Sequence, residues 1–392
     1  MNEILSIIKE HSKEEEIKSG QELEINVDIA AAHDKSMPNI IDKFEELPID
    51  KLEYNDRMMV TVDHYFPAPD FRSRENYLKI KNFCSKNKIK LHDKGEGILH
   101  QVIAEEYGNK LQNKVLIGAD GHMCTSAAWG SLPFSVKAQD IVKFLKKGKF
   151  LLKIPEIINI NVEGSYEYYE KNNIEISGKD IGLYLIKKIG KETIFNKGII
   201  LRGSLNNIID SQKMTIGNML GEVGAKTVYF SENIIENKSE YEFQAEEIKP
   251  QIALPGSVKN IIDIDLINKL KPTLIYIGGC TNGRIDDFEQ VAEILKGKKV
   301  KDDISLIISP ASRKVLEEME KRGFTSIMRE SGGVIVNPGC GACSGIHMGV
   351  SSKDDVVITT TPRNTPGRMG DERAQIYLAS PRTAALFSVR KS

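Results

Sequence analysis

Three cysteines stand where a shared ligand would need them. Cys340 and Cys343 form a C-x-x-C within NPGCGACSG, and Cys280 lies in GGCTNGR. A C-x-x-C loop lets two thiolates reach one metal centre, and the small neighbours Gly339, Gly341, Ala342, Ser344 and Gly345 leave room for a bulky group. Cys280 follows the apolar run TLIYIGG and precedes a helix predicted to begin near Asp286, so the helix N-terminus is expected to favour its thiolate. Thr281 and Asn282 offer hydrogen bonds in the same turn. Spacing alone leaves three readings open. One is a four-iron cluster with an iron free for substrate, and another is a Cys₃His zinc site completed by His347. The third is a set of buried reduced thiols. Cys84, on a predicted helix face, and Cys124 stand alone and read as small core residues.

Other polar groups gather just past apolar runs. Asp63–His64 ends VTVDH, Asp120–Gly121–His122 ends KVLIGADGH, His100–Gln101 sits in GILHQ, and Arg363 and Arg368 follow DVVITTT in PRNTPGR. In an open α/β sheet, groups beyond the carboxyl ends of strands converge on one crevice. Asp–His pairs there orient imidazoles as acids or hydrogen-bond donors. Two arginines suit a substrate with several carboxylates, because the guanidinium fork binds carboxylate bidentately.

Such convergence requires α/β layers, and the pattern predicts them. LEINVDIAAA, the stretch around RMMVTVD, KVLIGAD, TLIYIGG, DISLIIS, GVIVNPG and DVVITTT read as strands. ENYLKIKNFCSKN, AQDIVKFLKKG and DDFEQVAEILKGKK read as helices, the last with Asp286 and Asp287 in its first turn and Lys296–Gly297–Lys298 ending it. Residues 9–24 read as a solvated helix face and turn. Pro- and Gly-punctuated stretches near 146–157 and 248–258 predict three α/β domains, 1–150, 151–256 and 257–392. The charge sum of 54 Lys and Arg against 55 Asp and Glu gives −1, which disfavours nucleic-acid and membrane-surface partners. No apolar stretch approaches the roughly 18 residues of a span, and the opening MNEILSIIKEHSKEEE does not read as a signal peptide. Five cysteines are too few for a disulfide framework. A cytoplasmic protein is expected.

These motifs, in order along nearly the whole chain, resemble the aconitase superfamily, and within it the large subunits of 3-isopropylmalate dehydratase and homoaconitase. VDIAAAHDKSMPNI is similar to the early His/Gln–acid segment, here His33 and Asp34. VDHYFP, GILHQ and IGADGHMCT resemble the histidine motifs; GGCTNGRIDDF, PGCGACSGIHMG and TPRNTPGRMGDERAQIYLASPRTAA resemble the cluster and arginine motifs. The resemblance implies a three-domain α/β/α fold around a [4Fe–4S] cluster held by Cys280, Cys340 and Cys343. It implies that Asp63, His64, His100, Asp120 and His122 handle a substrate hydroxyl and its protons, with His33, Asp34, Arg284, Arg363 and Arg368 binding substrate. The implied reaction is dehydration and rehydration of a 2-hydroxy di- or tricarboxylic acid. A separate small subunit of the swivelling-domain type, in a heterodimer or heterotetramer, is implied as partner.

Several positions depart from the family pattern. The usual Asp-Ser-His reads Asp120–Gly121–His122, and Trp129 stands in a segment that is usually small and Gly-rich. The usual Asn-Arg-Asn-Phe reads Pro362–Arg363–Asn364–Thr365. A family glutamate expected near Ile200 is missing there. The alternatives are a different hydroxy-acid substrate or a non-catalytic cluster or zinc scaffold. A cluster-regulated RNA-binding role is disfavoured by the lack of a basic surplus.

Overall fold

The computed structural model describes residues 1–46, 52–166, 168–169, 174–233, 239–267 and 270–389. After α1 (Glu3–Glu10), β1 (Glu22–Asn26) pairs antiparallel with β7 (Lys149–Lys153) as a ribbon. The first sheet is all parallel: β2 (Ile29–His33), β3 (Met58–Thr61), β4 (Lys90–His92), β5 (Val115–Gly118) and β6 (Leu132–Ser135), in the order β4-β3-β2-β5-β6. Its residues alternate between two cores. Ala30, Ala32, Met58 and Val60 meet α1, α2 (Met37–Glu45), α3 (Phe71–Asn87) and α5 (Ala138–Lys147), whereas Ala31 and Met59 meet α4 (Leu99–Glu106). Burial on both faces is why these strands read as continuous apolar runs.

The second sheet, also parallel among the described residues, comprises β8 (Ile157–Glu163), β11 (Gly198–Gly203), β12 (Thr227–Phe230) and β13 (Tyr241–Gln244), ordered β12-β11-β8-β13. A hairpin of β9 (Tyr168–Tyr169) and β10 (Ile174–Glu175) interrupts it in sequence, followed by α6 (Gly178–Ile189), α7 (Lys191–Ile194) and α8 (Asp210–Glu222). The third sheet holds β14 (Gln251–Ala253), β15 (Ile261–Asp263), β16 (Leu274–Gly278), β17 (Ser305–Ser309), β18 (Val334–Ile335), β19 (Val356–Thr359) and β20 (Gln375–Leu378). Its order is β15-β14-β20-β19-β16-β17-β18, parallel except for β14 and its two antiparallel pairings, and α9 (Ile285–Leu295) follows β16.

One winding recurs three times. In each sheet the chain lays one strand, steps outward over two more, then returns to the far side of the first: β2 to β5, β8 to β13, β16 to β19. In open α/β sheets ligand crevices form at such switch points, beyond the carboxyl ends of the strands.

Two local expectations need correction. LEINVDIAAA is two strands in different sheets, because the chain turns at Val27–Asp28, where the Asp28 carboxylate accepts from Val115 N–H at 2.9 Å. Residues 9–24 are mostly turn; the helix stops at Glu10, where Lys9 and the His11 cap close it.

Candidate active site

The first and third sheets aim their switch points at one cavity of about 270 Å³. From the first sheet come His33 at the end of β2, Asp63 and His64 past β3, His100 in the first turn of α4, and Asp120 and His122 past β5. From the third come Cys280 past β16, Cys340 and Cys343 in the turn after β18, and Arg363 and Arg368 after β19.

Each histidine is held by a carboxylate. His64 Nδ1 lies 2.7 Å from Asp63 Oδ1, so its Nε2 is the nitrogen left for other partners. Asp63 is fixed in turn by the Leu99 N–H at the start of α4, 2.8 Å from Oδ2. Burial works to raise the Asp63 carboxyl, yet the neighbouring His64 and His33 charges and the α4 N–H hold it at about 2. Burial likewise opposes charge on His64, but Cys340, Asp63 and Asp34 keep its pKa well above 6.5. Asp120 joins three rings: Oδ2 lies 3.2 Å from His33 Nε2, and Oδ1 lies 2.9 Å from His100 Nε2 and 3.6 Å from His122 Nδ1. Those rings hold the Asp120 carboxyl well below its ordinary range despite burial. Ser36 N–H donates to His33 Nδ1 at 3.3 Å, which leaves Nε2–H to face Asp120.

Glu222 completes this network and escaped the sequence reading. Its Oε2 is 2.7 Å from His122 Nε2 and accepts from Arg363 Nε at 2.5 Å, and these partners lower its pKa against the effect of burial. An acid was sought near Ile200, but Ile200 lies wholly buried in β11; the acid at the site comes instead from the last residue of α8. Gly217 makes that delivery possible, because a Cβ there would stand 2.3 Å from the Cys124 carbonyl oxygen. The signal was a polar stripe at helical spacing: Ser211, Thr215, Asn218 and Glu222 share one face of α8. Thr215 Oγ1 donates to the Thr281 carbonyl at 2.6 Å, and Asn218 Nδ2 donates to Cys280 Sγ at 3.2 Å. Lys35, also missed, lines the cavity beside Arg363 and Arg368.

Two expected substrate ligands sit elsewhere. Arg284 does not line the cavity. Its guanidinium donates to the carbonyls of Cys280 at 3.0 Å and Ser211 at 2.8 Å, and to that of Thr281, clamping the Cys280 turn to α8. Asp34 lies behind the cavity, accepting from the His64 and Tyr65 N–H groups at 3.0 and 2.8 Å. Trp129 packs on the apolar cluster under α4, away from the cavity. Asn364 donates to the Leu254 carbonyl at 2.5 Å and holds the loop after β14. Gly121 does line the cavity, and a Cβ there would meet Arg363 Nη2 at 3.1 Å.

The three cysteines are buried on the cavity wall. Burial first, and the neighbouring thiols second, push Cys280 upward; burial pushes Cys340 up to about 12. Such thiols keep their protons until a metal displaces them. Donors already await the resulting negative charge: Asn218 at Cys280, Arg368 Nη2 at 3.7 Å from Cys343 Sγ, and His64 beside Cys340. Among the described residues, the side-chain sets compact enough to share one ion, with ligand atoms within 4.8 Å, are His33–Asp34–Asp63–His64 and His100–Asp120–His122, not the cysteines. His347 is outside the cavity, its Nε2 2.9 Å from the His64 carbonyl, so it does not complete a Cys₃His zinc site there. Three separated, donor-backed thiols around a shared space fit a multinuclear cluster better than a single zinc.

The aconitase family model (aconitate hydratase) matches residues 5–241 and 265–390. The chain belongs to the aconitase family. Aconitase-family relatives match it nearly end to end. It is 33% identical over 398 aligned positions to the 3-isopropylmalate dehydratase large subunit of Thermoanaerobacter pseudethanolicus, covering 95% of this chain and 94% of the relative. It is 34% identical, at the same coverage, to that of Caldanaerobacter subterraneus subsp. tengcongensis. Against 3-isopropylmalate dehydratase large subunit 1 of Methanopyrus kandleri it is 30% identical, covering 96% and 94%. The crystal structure of Thermococcus kodakaraensis aconitase X in its holo-form shares the fold, with a TM-score of 0.54 at 14% identity over 90% of this chain and 88% of that one. The α/β aconitase-like architecture expected from the motifs is borne out.

Proposed function

We propose that this chain is the cluster-bearing large subunit of an aconitase-type hydro-lyase. Its substrate is a 2-hydroxy di- or tricarboxylic acid, isomerised by loss and re-addition of water, and a separate small subunit of the swivelling type completes the site. The observation that carries this reading is one cavity lined together by Cys280, Cys340 and Cys343, by carboxylate-held histidines, and by Arg363 and Arg368. Near end-to-end similarity to dehydratase large subunits supports it.

Cys280, Cys340 and Cys343 would hold a [4Fe–4S] cluster, which when bound supplies Lewis acidity toward a hydroxyl and a carboxylate. The chain's own groups do the rest. Arg363, anchored on Glu222, and Arg368 bind carboxylates, and Lys35 adds a third positive charge at the mouth. His64, kept protonated by Asp63, gives a proton to the departing hydroxyl oxygen. Asp120 stays ionised and orients His100 and His122, the latter braced from its far side by Glu222. A second reading, a hydroxy acid other than isopropylmalate, is favoured by Gly121, which stands where the family pattern has Ser and leaves space beside Arg363.

Anaerobic reconstitution followed by iron, sulfide and zinc counting tests the proposal. The expected result is about four irons per chain, abolished by Cys340→Ser and unaffected by Cys84→Ser. Cys84 is a buried thiol of α3, pushed up to about 12 by burial alone. One zinc per chain and no sulfide would overturn the cluster. With the small subunit added, alkene absorbance should report turnover of isopropylmalate, homocitrate, citrate or a methyl-substituted malate; no turnover of any of them would leave a scaffold.

A further inference from the structure

Lys179, the second residue of α6, is fully buried. Its ammonium donates to the carbonyl oxygens of Thr360 at 2.8 Å and Thr361 at 2.9 Å, and lies 3.4 Å from Met219 Sδ. None of these partners carries charge. An ammonium taken out of water without a counter-charge is among the costliest groups to bury, and a neutral amide would satisfy the same carbonyls. Nearby carboxylates are engaged in their own turns: Asp287 accepts from Asn282 Nδ2 and Arg284 N–H, Asp180 from Ser177 and Gln251 N–H. Once deprotonated on a metal, the sulfurs of Cys280 and Cys343 are the opposite charges that act most strongly on Lys179, ahead of Asp287 and Asp180. The linkage is direct, since the Thr360 carbonyl that accepts from Lys179 also accepts from Thr281 Oγ1 at 2.6 Å, in the Cys280 turn.

We propose that Lys179 is the buried counter-cation of the cluster held by Cys280, Cys340 and Cys343, offsetting thiolate charge from behind the cavity wall while Arg368 does so from within it. This rests on the cluster reading above. Burial draws Lys179 down to about 7, while negative charge on Cys280 and Cys343 acts in the opposite direction. Lys179 is a positioning residue: it does not line the cavity. A cation that serves the cluster and one that serves only the fold behave differently once the metal is removed.

The test compares Lys179→Met and Lys179→Gln with the wild-type chain, each loaded anaerobically and each also stripped by chelation. Gln keeps a donor for the two carbonyls and loses only the charge. In the loaded chains, both neutral variants should shift the midpoint of one-electron cluster reduction to more negative potential. They should also release iron to a chelator roughly tenfold faster. In the stripped chains both should melt at higher temperature than wild type, because an unbalanced buried charge is gone. The proposal is overturned if Lys179→Gln keeps the wild-type midpoint and iron retention, which would make Lys179 a carbonyl clamp. It is also overturned if both variants melt lower in the stripped form as well as the loaded one. Wild-type chain that takes up no iron and sulfide defeats the cluster reading and this inference together; wild-type chain that loads, with variants that do not shift, defeats this inference alone.

Discussion

A single oxygen of Glu222 faces two cations, His122 Nε2 at 2.7 Å and Arg363 Nε at 2.5 Å. Glu222→Gln removes a charge that, after Asp120, raises the pKa of His122 and that anchors Arg363, while preserving the side chain's shape. We expect kcat/KM to fall roughly a hundredfold, the scale of a displaced acid–base group, with chain folding and iron content unchanged; a fall below threefold in steady-state kinetics would remove Glu222 from the machinery. His33, Asp63–His64, Asp120–His122 and Cys280 were legible because each ends or closely follows its strand, so the strand end fixes where the side chain goes; His100 comes instead from the first turn of α4. Glu222 and Arg284 were not legible. Glu222 reaches His122 across 100 residues of sequence, and Arg284 sits in a cluster motif yet turns toward the carbonyls of its own turn and that of Ser211, which only the packing of α8 brings near. Nor does the sequence show how deeply Cys280 is buried, and that burial, with the neighbouring thiols, raises its pKa.

At the scale of elements, parallel strands were readable from apolar runs, whereas breaks within such runs were not. The turn between β1 and β2 shows why, since Asp28 gathers long-range partners there. Its Oδ2 lies 2.9 Å from His11 Nε2 and accepts from Val115 N–H, while Oδ1 accepts from Lys114 Nζ. Burial works to raise the Asp28 carboxyl, but His11 and these donors hold it at about 2; the Asp28 hydrogen bond in turn raises His11 above 6.5, against burial. A depressed carboxylate contributes stability above its unfolded value near 3.8 and loses it toward pH 2. A raised histidine contributes below 6.5 and loses it as pH climbs through its folded value. The pair is therefore at full strength between about pH 4 and 6.5. Asp28→Asn should cost about 2 kcal/mol in urea unfolding at pH 5.5, and the cost should shrink at pH 8.5. An equal or larger loss at the higher pH would refute the ion pair.

At the scale of the molecule, three sheets repeat one winding with no repeated sequence, and they are joined by shared apolar clusters and by buried polar contacts. Arg202 of β11 is the clearest joint. Nearly fully buried, it forks onto Glu3 of α1 with Nη1–Oε1 at 2.9 Å and Nη2–Oε2 at 2.8 Å, and Nη1 also reaches the Ser231 hydroxyl and the Asn233 carbonyl. Burial opposes charge on Glu3, yet Arg202 and its neighbours hold the carboxyl at about 2. Because Ile200 of β11 and Tyr229 of β12 share a core with α1 and the first sheet, breaking this fork should not free the first helix alone but weaken both sheets in one transition. Arg202→Met leaves the half-buried Glu3 carboxylate without its partner; breaking a fully buried pair costs about 3–5 kcal/mol, and solvent screening of Glu3 brings the expected loss to about 2–3 kcal/mol. Adding Glu3→Gln removes the stranded charge and should return more than half of that loss, which independent, additive effects could not do. The exposed pair Lys43–Glu46 supplies the contrast: Lys43→Met should cost no more than about 1 kcal/mol. Equilibrium unfolding of the three variants and the double mutant decides it. If Arg202→Met costs no more than the surface pair, or Glu3→Gln deepens its loss, the fork is ornament and the two sheets are joined by apolar packing alone.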